Sequence, residues 1–337
     1  MASRGLLAVI AALLAPQASA QIQGRFSGQV MGDYYYVAHH HDRSLQDRNG
    51  FWIRRIHLTY DRILAPAWST RLRLEMSQPG DFSSGIASPF LKDAYVCWER
   101  GTGQLFLGIS PSPTWQIVQS LWGYRMLEKT PLDLQKMGDG RDFGIAAKGS
   151  LDARGKLTYH AMIGNGTGHR SPRSKGKKAM LSLAYWPNRS TVFEVYADHA
   201  FRTTDASLRY TVQAFWGYQS PGCRCGLLWA SQEHIYDTHT VRLELASAFV
   251  VLKLNEKWHG LVRVDRTFDP NPNGDQVPYL PLDPHEELTI LIVAMDFVPA
   301  AGVHILPNAE AVFYTRYALT DARGLDLVPR CTFYFEL

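Results

Sequence analysis

Arginines that recur on one face of two predicted neighbouring strands are the residues of this sequence with the clearest chemistry. Residues alternate sides along a strand, so Arg55 lies opposite the apolar face that carries Ile56. By the same parity Arg71 and Arg73 lie opposite the face of Leu72. Guanidinium groups keep their charge and bind phosphate or carboxylate through paired hydrogen bonds. A row of them predicts a series of weak anion sites.

A structural interpretation of the same arginines stays open. Four acidic residues, Glu75, Asp61, Asp93 and Glu99, are predicted on the face that carries the arginines. They would neutralise the guanidinium groups in ion-pair networks that stiffen the wall, and little free positive charge would then remain for a solute. Arg54, which has the opposite parity to Arg55, is predicted to lie at a membrane interface.

The strands that carry these residues belong to a chain with alternation almost throughout. A hydrophobic share of 46% and a net charge of +4 would also suit a secreted globular protein, so composition does not decide the class. From about Phe26 onward the segments alternate with period two, and no sustained helical spacing lies between them. This pattern predicts an all-β chain in one domain.

The two ends of the sequence indicate which kind of all-β protein this is. Residues 1–20 have the basic, apolar and small-residue regions of a secretory signal peptide, and 21–337 is the predicted domain. At the other end Phe333, Phe335 and Leu337 fall on one side of a final strand. Together they predict a transmembrane antiparallel β-barrel in the bacterial outer membrane, with that side of the closing strand facing lipid.

Connection lengths predict the number of strands. Short connections are expected at 64–67, 100–103, 152–155, 187–190, 220–224, 255–257 and 299–302. Eight longer ones are expected at or near 38–50, 78–90, 111–140, 165–177, 202–206, 236–239, 267–285 and 318–324. Fifteen connections join sixteen strands. Fourteen strands is the alternative, if 225–235 and 237–252 form one bent hairpin.

A barrel of sixteen strands encloses a water-filled lumen, which the longest connection is expected to narrow. Residues 110–141 contain aromatic side chains that could pack on the barrel wall. Arg125 and Lys129 would then present positive charge to the passage. We favour this inward-folded loop over one that extends outward, since long loops usually serve a function.

Three consecutive histidines, His39 to His41, follow the first strand. Neighbouring residues of a strand point in alternate directions, so all three cannot easily bind one metal ion. No carboxylate or cysteine nearby completes a metal-binding motif. A solvated loop without a metal is therefore the favoured interpretation.

Several short motifs, in order along the mature chain, resemble the phosphate-selective porin O and P family. They are Phe51–Leu58, Trp68–Glu75, Leu91–Val96, Gly108 and Arg141–Ile145. The resemblance implies a trimeric sixteen-stranded anion-selective porin, with arginines and lysines along the pore and a long loop folded inside. The chain departs from the family in ending at Leu337, where an aromatic residue is usual, and in being short.

The sequence as a whole predicts a passive channel that prefers phosphate or other small anions and is not an enzyme. Arg55, Arg71, Arg73, Arg125 and Lys129 are the predicted pore-lining residues. No cofactor is expected, and the expected partners are small anions, outer-membrane lipid and two further copies in a homotrimer, with no nucleic acid. The alternatives are a general porin of other selectivity and, less favoured, a barrel enzyme or receptor.

Overall fold

The computed structural model describes residues 24–82, 86–172, 174–201, 208–315 and 324–337. The predicted signal peptide, 1–20, lies outside the described residues. The strands are β1 Gly24–Tyr36, β2 Asn49–Ala65, β3 Trp68–Ser77, β4 Ser88–Arg100, β5 Gly103–Pro111, β6 Arg141–Ser150, β7 Leu157–Gly164, β8 Lys177–Tyr185, β9 Thr191–Phe201, β10 Leu208–Gln219, β11 Cys223–Ile235, β12 Thr240–Lys253, β13 Trp258–Thr267, β14 Leu288–Ala300, β15 Val303–Tyr314 and β16 Leu325–Glu336. The helices are α1 Gln116–Trp122 and α2 Pro131–Leu134, with a 3-10 turn at Gly274–Gln276.

All sixteen strands form one closed antiparallel barrel in which each strand pairs with its neighbours in sequence. The barrel closes where β16 pairs with β1, with Val30 opposite Phe335 and Gly32 opposite Phe333. The backbone N–H of Leu337 then donates to the carbonyl of Gly28, at 2.9 Å. The predicted sixteen-stranded barrel and its closing strand are confirmed.

Connection lengths alternate as predicted. The seven connections at one end leave two to six residues between strands, and the described long connections lie at the other end. The alternative of fourteen strands is wrong, because 236–239 separates β11 from β12, which pair as two independent strands over thirteen residues. The predicted long connections at 202–206 and 318–324 fall almost wholly outside the described residues.

The outer surface of the barrel is apolar. On β3 the side chains of Leu72 and Leu74 are 46% and 41% exposed, whereas Glu75, one position further, is buried inside. A closed ladder satisfies every backbone group between strands, and an apolar outer face suits hydrocarbon. The predicted location in the bacterial outer membrane is confirmed by this architecture. No helix of the described segments is long and apolar enough to cross a membrane.

The interior of the barrel is divided between an apolar core and an open space. The connection between β5 and β6, residues 112–140, folds inward and contains α1 and α2. Its side chains Trp122, Leu127 and Leu132 are at most 1% exposed and belong to one buried cluster with wall residues such as Phe249 and Leu261. The predicted inward fold of this loop is therefore confirmed. Helix α1 packs on β10 and β11, and an open space remains beside the loop.

Candidate functional site: a basic passage through the barrel

The open space is a cavity of about 1130 Å³, which we call the passage. Its lining includes Gln78 and Arg170 in long connections, and Pro221 and His304 beside short ones. Because long and short connections lie at opposite ends of the barrel, the passage extends between the two ends. A solute that crosses the barrel would meet this lining.

The charge of this lining is strongly one-sided. Among the described residues, eleven lysines and arginines line the passage against four acidic residues. The basic residues are Arg55, Arg73, Lys92, Arg125, Lys129, Lys136, Arg141, Arg170, Arg209, Arg224 and Lys253, and the acidic ones are Glu75, Asp133, Asp139 and Glu336. A confined space with low-dielectric walls concentrates such a field and raises the local concentration of counter-ions, here anions.

Two β-bulges increase the number of charges that point inward. Where β2 pairs with β1, Arg55 lies opposite Met31 and Ile53 opposite Gly32, so Arg54 is the extra residue. Arg54 is only 6% exposed, so the prediction that it lies at a membrane interface is wrong. A bulge places two successive residues on one face. The prediction for Arg54 assumed strict alternation of side chains along β2, which fails at a bulge.

The second bulge, between β3 and β4, has a direct effect on the passage. Arg73 lies opposite Asp93 and Leu74 opposite Leu91, so Lys92 is the extra residue. Lys92 and Asp93 therefore both face the interior. Lys92 lines the passage and was missed by the sequence analysis, because strict alternation would have placed it on the side opposite Asp93.

Three basic side chains of the wall converge on one carboxylate. The carboxylate of Glu75 lies 2.8 Å from Nε of Arg55 and 2.9 Å from Nε2 of His57, and Lys92 contacts it as well. Glu75 is 3% exposed. One buried negative charge thus holds Arg55 and Lys92 at fixed positions on the wall without neutralising both of them.

Asp93 of β4 likewise holds two cations of the wall in position, Arg73 of β3 and Arg141 of β6. Its carboxylate is fully buried, lies 3.4 Å from Nη1 of Arg73 and accepts a hydrogen bond from Nε of Arg141. Nε of Arg73 donates a further hydrogen bond, at 2.8 Å, to the hydroxyl of Thr59. The predicted ion-pair networks therefore exist at Glu75 and Asp93, and in each of them cations outnumber carboxylates.

Arg71 lies apart from the other predicted residues. Its guanidinium group forms a bidentate pair with Asp61, with distances of 2.6 and 2.9 Å. The pair lines a separate cavity of about 390 Å³, together with Arg25 and Tyr95. Of the five predicted residues the structure brings Arg55, Arg73, Arg125 and Lys129 into the passage and leaves Arg71 out of it.

Arg125 and Lys129 reach the passage from the loop, opposite the wall arginines. Arg125 pairs with Asp133 of the same loop. Burial lowers the pKa of Lys129, and the nearby charges of Arg55 and Arg125 lower it further against the opposing effect of Asp133 and Glu128. Positive charges from the loop and from the wall are thus close enough to interact. Their proximity makes this section of the passage strongly basic.

Barrel side chains hold the loop by its backbone carbonyls. Nη1 of Arg54 donates to the carbonyl of Leu127, at 2.8 Å, and Nη1 of Arg263 donates to that of Lys129. Two amide side chains do the same: Nε2 of Gln232 donates to Met137 at 2.6 Å, and Nδ2 of Asn271 donates to Gln135 at 2.9 Å. The loop is therefore anchored at several points along its length.

Glu128 adds a buried charge to this anchor. Its carboxylate lies 3.4 Å from Nη1 of Arg54 and 4.0 Å from Nη1 of Arg330. Arg330 is held in turn by Glu310, at 2.7 Å. Asp33 also pairs with Arg54, at 2.6 Å, so the buried network between the loop and the wall contains two arginines and three carboxylates.

Replacing Glu128 with glutamine should loosen the loop. The change removes the carboxylate by which the loop joins this network, while Asp33 and Glu310 keep their pairs with the two arginines. A hydrogen bond to a charged group contributes about 1.5 to 3 kcal/mol. We expect a lower unfolding temperature and a noisier, larger single-channel conductance. Glu256→Gln is the matched control, because Glu256 is an exposed carboxylate of a short connection and does not line the passage. Equal conductance traces for the two variants would contradict the anchoring role of Glu128.

The structure also places basic residues of the passage that the sequence analysis missed. Arg224 and Lys253 lie beside short connections, and Arg170 lies in a long one. The guanidinium carbon of Arg224 is 5.5 Å from the centre of the Tyr124 ring of the inward loop. Arg224 was predicted only as part of a turn. Arg224 contacts a loop that is one hundred residues away in sequence, and the residues around Arg224 contain no pattern that predicts this contact.

Comparison with known proteins supports a porin-type barrel. No protein-family model matches the chain, and no curated protein matches it in sequence. Among solved structures, an anion-selective porin from Comamonas acidovorans matches with a TM-score of 0.68 and 12% identity, over 94% of this chain and 100% of that one. OmpF of Salmonella typhi gives 0.65 and 10%, over 94% and 98%. A loop-deletion mutant of OmpT, an outer-membrane protein of Vibrio cholerae, gives 0.65 and 9%, over 94% and 99%. At these identities the likeness shows the fold.

Proposed function

We propose that this protein is a passive outer-membrane channel that prefers anions. The observation that carries the proposal is the excess of lysine and arginine over aspartate and glutamate along the passage, eleven against four. Attraction is spread along the passage from Arg170 at one end to Lys253 at the other. Conduction needs attraction of this kind, because a single deep site would hold the ion instead of releasing it.

The chemistry of the wall suits small oxyanions. The guanidinium groups of Arg55 and Arg73 can each donate to two oxygens of phosphate or carboxylate. Their partners Glu75 and Asp93 are buried behind them and hold them in position. Phosphate or other small anions are the solutes we propose, in keeping with the resemblance to phosphate-selective porins. The solved anion-selective porin with the same fold is consistent with this selectivity.

The proposed channel is not an enzyme, and it works as a homotrimer in outer-membrane lipid. The apolar outer face supports the contact with lipid, and a trimer form of Vibrio cholerae OmpT shares the barrel fold, with a TM-score of 0.61 and 9% identity. Crosslinking of the folded protein in detergent tests the trimer directly. A single monomeric band at every crosslinker concentration would contradict it.

Reversal potential in a planar bilayer tests the proposed selectivity. Under a tenfold gradient of potassium chloride, the purified protein should give open ohmic steps whose reversal potential has the sign of chloride permeation. The preference should shrink as the salt concentration rises, because the Debye length falls from about 10 Å at 0.1 M to about 3 Å at 1 M. Cation preference, or no steps at all, would contradict the proposal.

A further inference from the structure

Two neighbouring histidines and an aspartate come together at the barrel seam, outside the passage. The pairing of β1 with β16 is extended by a bridge between His39 and Leu327, in which the N–H of Leu327 donates to the carbonyl of His39 at 2.9 Å. The chain leaves the strand direction after this bridge. His40 and His41 therefore do not point to opposite sides, and both reach Asp326 of β16.

The three side chains offer ligand atoms within 4.8 Å of one another. Oδ2 of Asp326 lies 2.8 Å from Nδ1 of His41 and 3.9 Å from Nε2 of His40. The side chain of His40 is only 2% exposed and that of Asp326 is fully buried. The favoured interpretation of His39 to His41 as a solvated loop is therefore wrong for His40.

Nε2 of His40 is the observation that calls for a ligand. This atom is buried, lies 3.9 Å from Oδ2 of Asp326, and has only a weak contact with the backbone of Pro281. A buried polar nitrogen without a good hydrogen bond is costly and rare. A cation between the three ligand atoms would satisfy it. The hydroxyl of Tyr314, 2.6 Å from Oδ2 of Asp326 and 3.0 Å from Nδ1 of His41, could complete the set.

We propose that His40, His41 and Asp326 bind a divalent transition-metal ion, with Zn²⁺ as the best fit. Imidazole nitrogen and carboxylate oxygen are common zinc ligands, and the spacing of three such atoms suits one ion after small side-chain shifts. Calcium and magnesium prefer sites built of oxygen ligands, whereas two of the three proposed ligands are imidazole nitrogens. This inference is independent of the proposed channel function, because none of the three residues lines the passage.

Binding requires a change at His40. Its Nδ1 accepts the backbone N–H of Asp42 at 3.0 Å, so the neutral ring carries its proton on Nε2. The ion takes the place of that proton, the ring then carries its proton on Nδ1, and the hydrogen bond to Asp42 is given up. At His41 the ion replaces the contact between Nδ1 and Asp326. The bound ion would fasten the connection after β1 to the first residues of β16, across the line where the barrel closes.

Zinc binding by the full-length protein, purified without a histidine tag and treated with chelator, tests the proposal. We expect one Zn²⁺ per chain by equilibrium dialysis. His40→Ala and Asp326→Asn should each weaken binding about tenfold or more, since even indirect support of a metal ligand contributes about 10- to 100-fold. His39→Ala is the matched control, because His39 is exposed and adjacent but contributes no ligand atom. It should bind as the wild type does.

Folding is checked in each variant by heat-modifiable migration. His40 and His41 lie in the connection between β1 and β2, where alanine does not interrupt a strand. Their alanine variants therefore test the proposal even if Asp326→Asn does not assemble. Failure of the folded wild type to bind Zn²⁺ would overturn the proposal. The same conclusion follows if His39→Ala weakens binding as much as His40→Ala, or if a folded His40→Ala protein binds as tightly as the wild type.

Discussion

Replacing Arg55, Arg73 and Lys129 together with glutamate should abolish the preference for anions. The change leaves eight basic residues against seven acidic ones along the described lining of the passage. It also reverses the charge on both sides of the basic section between wall and loop, since Arg55 and Arg73 lie on the wall and Lys129 on the loop. We expect the anion-to-cation permeability ratio at low salt to fall about tenfold, which needs a free-energy change of only about 1.4 kcal/mol.

The control for this experiment is Arg71→Gln. Arg71 is two residues from Arg73 on the same strand, but it pairs with Asp61 in a separate cavity. Its loss should leave the permeability ratio unchanged. A second variant, in which glutamine replaces the same three residues, is used if the new glutamates beside Glu75 prevent assembly. It should lower the anion-to-cation permeability ratio by a smaller amount. An unchanged ratio in both triple variants would assign these residues to wall stiffening alone.

Deletion of the last three residues should prevent assembly of the barrel. Phe335 and Glu336 pair with Val30 and Gln29 of β1, and Phe335 also pairs with Val303 of β15. Their loss opens the end of the seam and exposes unpaired backbone groups in a place where lipid cannot satisfy them. We expect the heat-modifiable, membrane-inserted form to fall by about tenfold or more, and the chain to accumulate unassembled.

Cys331→Ser is the control for the deletion. Cys331 lies on the same strand, its side chain is exposed on the outer face, and serine keeps the backbone pairing with Tyr34. This variant should assemble at the wild-type level. Normal amounts of membrane-inserted protein after the deletion would show that these last residues are not needed to close the barrel.

Most of the fold could be predicted from the sequence because it follows local rules. Alternation with period two fixes which side chains of β3 face outward, and the difference between short and long connections fixes the number of strands. Both signals are contained within about ten residues. Neither depends on which distant segments meet, so the sixteen strands were predictable.

The arrangement of the passage could be predicted only in part, because bulges and long-range contacts have no local signal. Arg54 and Lys92 enter the interior through a single extra residue in each strand, which reverses the parity on which the prediction rested. Arg71 faces the barrel interior as predicted, but it pairs with Asp61 of the adjacent strand in a cavity separate from the passage. His40 meets Asp326 from a distance of almost three hundred residues in sequence.

The way in which the loop is anchored affects how the passage can change in evolution. Arg54, Arg263 and Gln232 of the strands, and Asn271 of the connection after β13, bind carbonyl oxygens of the loop. Every amino acid carries such an oxygen. Lys129 illustrates the result, because its carbonyl is held by Arg263 while its side chain lines the passage. Mutations at such a position can alter which solutes pass without releasing the loop. Selectivity and architecture can therefore diverge separately, and the passage offers a starting point for engineered pores.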